Sequence, residues 1–499
     1  MRGSGNLMHM KYLLGYDIGS SSVKAALLEI ETGNCVASAF SPENEMEINA
    51  PQPGFAEQDP ESWWKELANA THRLQQQHPF DPSLVAAIGI SYQMHGLVCM
   101  DKDGNVLRPA IIWCDSRAVA IGNQAEKKLG DKYVQHHLLN APGNFTASKL
   151  KWVKDNEPEI YNRIDVIGLP GDYIAYKMTG EKATTVSGLS EGIFWDFEEG
   201  QIAQPLLDEY GFRNSVFART VPQFGEQGKL TTSAAAFLQL KEGIPVTYRA
   251  GDQPNNAYSL NVLQPGEIAA TAGTSGVVYG VTDKIKPDPL SRVNTFLHVT
   301  HTPQLPRYGV LLCINGTGIL NSWMRRNFFG NCSYQVMNQE AATIPEGADG
   351  LFCYPFGNGA ERVLANADPG ASIKGMQFNR HNRAHVARAV QEGIVFSLKY
   401  GIDIMEEMGV VVKTVRAGHS NMFLSDVFAS TFANVTGAMV ELYNTDGSVG
   451  AARAAGVGAG VYPDFASSFS GMAKQKTILP DPQKNKYYQQ VYAKWKEGL

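Results

Sequence analysis

Asp17-Ile18-Gly19-Ser20-Ser21-Ser22-Val23-Lys24 sets a carboxylate immediately before a turn whose glycine and hydroxyl residues can present N–H and O–H donors. Glycine lets the backbone come close to an anion, and a neighbouring Asp can hold Mg²⁺, usually through water, while the ion bridges phosphate oxygens. Ser20, Ser21 and Ser22 are thus candidates for holding phosphate, and Asp17 for holding the metal. The same residues also suit an ordinary hairpin in which Asp17 caps exposed amides. A second turn of this type, Gly273-Thr274-Ser275-Gly276, favours the phosphate reading, because two such cradles on duplicated halves could clamp one nucleotide.

Phosphoryl transfer also needs a group that accepts the proton of the attacking hydroxyl. Asp252, in Ala250-Gly251-Asp252-Gln253-Pro254-Asn255-Asn256, suits that role, and equally suits an Asx turn or a helix cap. Gln93-Met94-His95-Gly96 follows an apolar run and offers an amide and two ring nitrogens, groups that read polyhydroxylated ligands. A satisfied structural histidine is the competing reading. Trp113, with Asp115 and Arg117 behind it, could add an aromatic face and an ion pair to that pocket, or be a core tryptophan beside a capping aspartate. Gly418, Ser420 and Asn421 fit a nucleotide loop in which glycine permits close approach of adenosine.

Alternating strands and helices must position these residues. Two apolar runs, Tyr12–Tyr16 and Val23–Ile30, flank the first turn and read as a strand pair. A helix begins after Asp59 as N-cap, with Pro60 first and Trp63, Leu67, Ala70 and Leu74 on one face. Ala86–Ser91 reads as a strand, Gly96–Arg108 as a hairpin turning near Lys102-Asp103-Gly104, and Asp172–Met178 as a short helix ended by Gly180. After the Pro265-Gly266 turn the strand, Gly-Ser/Thr turn and strand pattern recurs, then a long helix from about Asn382 to Met408 and a strand Val410–Val415. The pattern is α/β, with ligands expected at strand ends. Tyr487, Tyr488, Val491, Tyr492 and Trp495 are spaced to form one apolar helix face.

With 43 basic and 49 acidic residues the net charge is −6, which argues against nucleic acid or an anionic membrane as partner. No apolar run reaches the length of a membrane helix; Val449–Tyr462 is short, rich in Gly and Ala, and broken by Arg453. Residues 1–10 lack the apolar core of a secretory signal and read as a disordered leader or expression remnant, so a cytoplasmic location is expected. Six scattered cysteines, the nearest two being Cys99 and Cys114, offer no zinc or dithiol pair. P-loop, dinucleotide-binding, zinc-protease and esterase signatures are missing.

From about Tyr12 to Gly460 the chain resembles the FGGY carbohydrate kinases. The likeness rests on Gly15–Ser22, Pro53–Trp64, Thr146–Val153, Gly375-Met376 with His385–Gly393, and Ala417–Asn421, in the family's order. It implies an actin-like ATPase fold, a duplicated RNase H-like α/β topology in two domains with the active site in the interdomain cleft. The expected division is 11–262 for the sugar-side domain and 263–499 for the nucleotide-side domain. The resemblance implies that Asp252 is the general base, that Asp17 positions Mg²⁺, and that Gly273, Thr274 and Gly418 to Asn421 hold ATP. Met94-His95 matches a pair that contacts the sugar in xylulose-phosphorylating members, where glycerol-phosphorylating members carry Arg-Glu. Three departures stand out: Ala417-Gly418-His419 replaces consecutive glycines, Gly-Asp-Gln-Pro-Asn-Asn around Asp252 is nearer the glycerol-type form, and Gln391 takes a position usually apolar.

The activity implied is transfer of the ATP γ-phosphate to the terminal hydroxyl of a ketopentose, D-xylulose foremost, with a small sugar and ATP as partners. The resemblance is also compatible with a homodimer. Glycerol and L-ribulose are the alternative acceptors. An actin- or chaperone-like ATPase is the alternative of another class; it would normally carry a peptide-binding or polymerising segment, and none is found after Gly460.

Overall fold

The computed structural model describes every residue except 1–10, 360, 365, 366 and 368, so the leader expected at 1–10 lies outside the described residues. Two compact units form, and they are not consecutive halves: residues 1–261, 296–304 and 446–472 make the first, and 262–295, 305–445 and 473–499 the second. The chain first crosses at 261/262, one residue before the expected boundary at 262/263, and returns to the first unit at 296–304 and 446–472, the latter because a helix of small residues belongs to that unit's sheet.

That sheet contains β1 (Tyr12–Ile18), β2 (Val23–Glu29), β3 (Cys35–Ser41), β4 (Val85–Tyr92) and β5 (Val246–Gly251), ordered β5-β4-β1-β2-β3. β1 and β2 form the antiparallel hairpin, β3 extends it, and β4 and β5 lie parallel to β1. β4 is buried along its whole length, which is why its sequence is continuously apolar rather than alternating. Helix Pro60–Gln77 covers one face, capped by Asp59, with Trp63, Trp64, Leu67 and Leu74 buried as the spacing requires. Helix Gly447–Gly458 packs so closely on the strands that a Cβ on Gly15 would stand 1.9 Å from the Ser448 carbonyl oxygen, and one on Gly89 2.0 Å from that of Ala451. The Gly/Ala-rich stretch is therefore a helix buried against these strands. Its Arg453 is absorbed by the carbonyls of Gly33, Ser468 and Ser470 at 2.6 to 2.8 Å.

The second unit is built on β6 (Glu267–Ala272), β7 (Gly276–Thr282), β8 (Asn294–Leu297), β9 (Tyr308–Ile314), β10 (Thr414–Gly418), β11 (Met439–Tyr443) and β12 (Lys474–Ile478), ordered β8-β9-β7-β6-β10-β11-β12. Here too a hairpin (β6, β7) is extended by an antiparallel strand (β9), while two strands (β10, β11) run parallel on the other side. The order β11-β10-β6-β7-β9 repeats β5-β4-β1-β2-β3, so the internal repeat read from two Gly-Ser/Thr turns is a repeat of whole sheets. Helix Arg383–Glu407 is buried along most of its length. Within it Gln391 is fully buried and satisfied, donating to Asn338 Oδ1 at 3.0 Å and accepting from the Ser425 hydroxyl at 2.8 Å. The amide in a usually apolar position thus ties three helices together. Helix Pro482–Lys496 buries Tyr488, Val491, Tyr492 and Trp495 in the same core, and Tyr487 stays exposed.

Two expected elements differ. The strand foreseen at 410–415 is Thr414–Gly418, because Val410 N–H closes the preceding helix on Met405 and Val411 is exposed. The foreseen hairpin at 96–108 turns at Asp101–Asn105 as expected, yet Val98–Met100 pairs chiefly with Val166–Gly168, with a single bridge from Met100 to Val106. Among the described residues no helix is long and apolar enough to cross a membrane.

Candidate active site

In the first unit Ile18 pairs with Tyr92 and Tyr92 with Gly251, so the parallel strands β1, β4 and β5 end together. The carboxyl ends of adjacent parallel strands are where α/β sheets present ligand-binding groups. Asp17, the Gln93-Met94-His95 segment and Asp252 are brought to this edge from positions that span 252 − 17 = 235 residues of sequence.

Asp17 is half-buried, and Ser91 donates its hydroxyl to Oδ1 at 2.9 Å. Gly447 opens the helix behind it; a Cβ there would fall 2.5 Å from Asp17 Oδ2, so glycine is what lets the carboxylate approach the helix start. Asp446 caps that helix through the N–H groups of Ser448 and Val449. Burial pushes the Asp17 carboxyl above its ordinary range, Lys24 and Ser91 oppose this, and Asp446 adds to it.

Asp252 is the first residue of helix Asp252–Ser259, directly after β5. Burial, and secondly the charge of Asp17, push its carboxyl up to about 7. A carboxylate poised there is suited to accept a proton at neutral pH. The helix is anchored by Asn255 and Ser259, which donate to the carbonyls of Gly447 and Asp446 at 2.8 Å.

Gln93 donates to Gln58 Oε1 at 3.4 Å, and Gln58 donates in turn to the Ser20 carbonyl at 2.7 Å, so the amide is coupled to the first hairpin. The Gln93 Oε1 is buried without a partner among the described residues. In that hairpin Gly19 N–H closes on the Ser22 carbonyl and Met46 N–H takes that of Ser21. The Met94 side chain lies against Gly251, where a Cβ would stand 2.5 Å from its Cγ. His95 sits in the left-handed region at φ 60°, an uncommon conformation for a non-glycine residue. Its Nδ1–H donates to the Glu191 carbonyl at 2.9 Å and its ring packs on Phe145 and Phe296 at 4.8 and 5.3 Å. Buried Lys149 donates to the carbonyls of His95 and Ile112, each at 2.9 Å, and burial pulls its ammonium down to about 7.

Trp113 is not a core residue. It is 47% exposed and its Nε1 reaches Ser20 Oγ at 3.3 Å, beside the first hairpin. The side chains of Asp115 and Arg117 are buried. They bind each other, Asp115 accepts from Ala56 N–H, and Arg117 pairs with Glu57 and stacks on Phe55 at 3.7 Å. Phe55 meets Trp152 edge-on at 5.6 Å, so the segments 53–64 and 146–153 buttress one another.

In the second unit β6 and β10 are parallel neighbours, Ala270 opposite Ala417. Gly273, Thr274, Gly418, Ser420 and Asn421 therefore leave the sheet at one edge. The carbonyls of Gly273 and Thr274 accept from Gly318 and Ile319 N–H at 2.8 and 3.1 Å. Asn421 takes φ 52°. A Cβ on Gly273 would meet nothing nearer than Asn421 Nδ2 at 3.6 Å, and one on Gly418 nothing nearer than Ser420 Oγ at 3.3 Å. Packing alone does not demand glycine at Gly273, so the open space suits a ligand approaching the backbone, as a nucleotide would.

Four residues of this arrangement were not singled out from sequence. Lys149 lay within the quoted segment 146–153. Asp446 before Gly447-Ser448 is a cap signal ahead of a small-residue helix. Ser91 and Glu191 give no sequence signal of their own, since their importance comes from strand register and burial. Among the described residues no three His, Cys, Asp or Glu side chains form a ready-made metal centre.

The FGGY carbohydrate kinase models match this chain over residues 12–258 for the N-terminal domain and 268–459 for the C-terminal domain. The xylulose kinase of Bacillus subtilis is 30% identical over 460 residues, covering 90% of this chain and 89% of its own. That of Escherichia coli is 29% identical over 488 residues, covering 95% and 96%. The solved xylulose kinase of Rhodospirillum rubrum superposes with a TM-score of 0.87 over 98% of both chains at 24% identity, a likeness of fold. With repeated sheets, strand-end carboxylates and both domain models matched in order, the chain belongs to the FGGY family of carbohydrate kinases.

Proposed function

We propose that this kinase transfers the γ-phosphate of ATP to the terminal hydroxyl of D-xylulose, giving D-xylulose 5-phosphate and ADP. The observation that carries the reading is Asp252: a carboxylate at a strand end, beside Met94 and Asp17, with its proton affinity raised into the neutral range. Asp252 accepts the proton of the sugar hydroxyl as its oxygen attacks the γ-phosphorus in line and the bond to the ADP oxygen breaks. Met94 and His95 wall the sugar, and Glu191 and Lys149 fix His95. Gly273, Thr274, Gly418, Ser420 and Asn421 hold the nucleotide, and Ser20, Ser21 and Ser22 meet its phosphates.

Asp17 would hold Mg²⁺. The fit is chemical: a hard oxygen donor whose ionised form is disfavoured by burial and by Asp446 gains from a divalent cation, and Mg²⁺ is commonly held by one or two carboxylates together with phosphate. The ion supplies neutralisation of phosphate charge.

The test is ADP release measured over D-xylulose, L-xylulose, L-ribulose, glycerol and no sugar. D-xylulose is expected to give the highest kcat/KM, with turnover in the absence of sugar lower by about 10² or more, since the site must prefer a sugar hydroxyl to water. Turnover of glycerol but not of D-xylulose would refute the Met94/His95 reading. Full turnover without sugar would establish the ATPase alternative.

A further inference from the structure

Glu191 ends the short helix Val186–Glu191 and is 2% exposed, yet no Lys, Arg or His among the described residues pairs with its carboxyl. Both ends of the residue converge on the proposed sugar wall. Its carbonyl accepts from His95 Nδ1 at 2.9 Å and its Oε1 from His95 N–H at a long 3.4 Å. Its Oε2 lies 2.4 Å from where a Cβ on Gly251 would stand, beside Met94 Cγ at 2.5 Å, one residue before Asp252. Oε2 has no hydrogen-bond partner among the described residues. A glycine at 251 is thus needed because the Glu191 acid and the Met94 side chain close over it.

A buried acid with no cation, facing Met94 and backed by Asp252 and Asp172, is in the wrong surroundings for a charge. Burial and those two carboxylates hold its proton far more tightly than an ordinary glutamic acid does. In that form it is a donor as well as an acceptor. Around that O–H the chain itself offers a thioether, a glycine, another carboxyl and the buried Tyr92 hydroxyl, and Oε2 bonds to none of them among the described residues.

Resting on the D-xylulose kinase reading of the same pocket, we propose that Glu191 contacts the sugar, donating a hydrogen bond from Oε2 to one of its oxygens and so fixing the acceptor against Asp252. Glu191 then determines specificity among polyols, because a substrate without an oxygen at that point leaves the buried acid unpaired.

Glu191→Gln keeps a neutral donor of the same reach, and Glu191→Leu keeps the bulk and removes it. The panel on the unsubstituted enzyme is run first and identifies the acceptor; failure of the D-xylulose reading appears there, and the variants are then measured with whichever acceptor is used. Glu191→Gln is expected to stay within about threefold in kcat/KM for the sugar. Glu191→Leu should lower it about 10- to 100-fold, the loss of one buried hydrogen bond, with KM for ATP unchanged. Should Glu191→Leu fail to fold, Glu191→Asp withdraws the acid by one methylene and should cost about tenfold in the same quantity. The proposal is overturned if Gln costs as much as Leu, which would require an ionised carboxylate, or if Leu or Asp performs like the unsubstituted enzyme.

Discussion

Replacing Asp252 by Asn should disable the enzyme and make it more stable, and both effects follow from one carboxyl. Its affinity for a proton rises from an ordinary value near 3.8 to about 7 on folding. Each unit corresponds to 1.36 kcal/mol, so ionised Asp252 opposes folding by up to about 4 kcal/mol. Partial exposure reduces this, and an acidic residue in a first helical turn returns about 0.5 kcal/mol, leaving about 1 to 3 kcal/mol. The sign follows from protonation: the stability tied to the neutral acid is complete below pH 4 and is lost as pH rises through 7. The gap between Asp252→Asn and the parent should therefore be absent below pH 4, open between pH 4 and 7, and stay constant above. Urea unfolding midpoints across this range, with chelator and no nucleotide, measure it, and ADP release should show kcat lower by about 10² to 10⁴. A variant less stable than the parent at pH 8 would mean that the carboxylate is paired in the native state, and a variant with undiminished kcat would remove it as the base.

The same base predicts that kcat/KM of the parent enzyme falls on the acid side of about pH 7, and a pH profile flat down to pH 5 would contradict this. Lys149→Met should cost about 2 to 4 kcal/mol, because the buried carbonyls of His95 and Ile112 both lose their donor; urea unfolding checks this. Gly273→Ala should leave the unfolding midpoint unchanged, since a Cβ meets nothing within 3.6 Å, while weakening ADP about tenfold by calorimetry.

Much of the fold was legible because its signals are local. Asp59-Pro60 before a 3.6-residue apolar period, and Gly180 after one, state where helices begin and end, and both helices formed as spaced. The duplication was visible as two Gly-Ser/Thr turns, because each must join an antiparallel pair. Val410–Val415 misled because an apolar run reports burial only when something covers it, and Val411 faces solvent. At the site, Asp17, His95 and Asp252 were readable as polar residues at strand ends, and Met94 only as the neighbour of His95. The neighbour of Trp113, the Ser20 hydroxyl, was not legible, since what an aromatic ring meets is set by tertiary packing. Glu191 was invisible for a deeper reason: nothing nearby in sequence marks a glutamate that will be sealed over Gly251 without a counter-ion.

The helix of small residues at 447–458 has a consequence for biosynthesis. The strands it covers are translated within the first 251 residues, but their glycine-lined face stays bare until nearly the whole polypeptide has left the ribosome. During that interval the nascent β-sheet is an aggregation hazard for which chaperones are suited. A fragment cut at the first crossing of the chain would lack the helix start beside which Asp17 lies, so expressing the amino-terminal segment alone should yield an incomplete sheet with a bare surface.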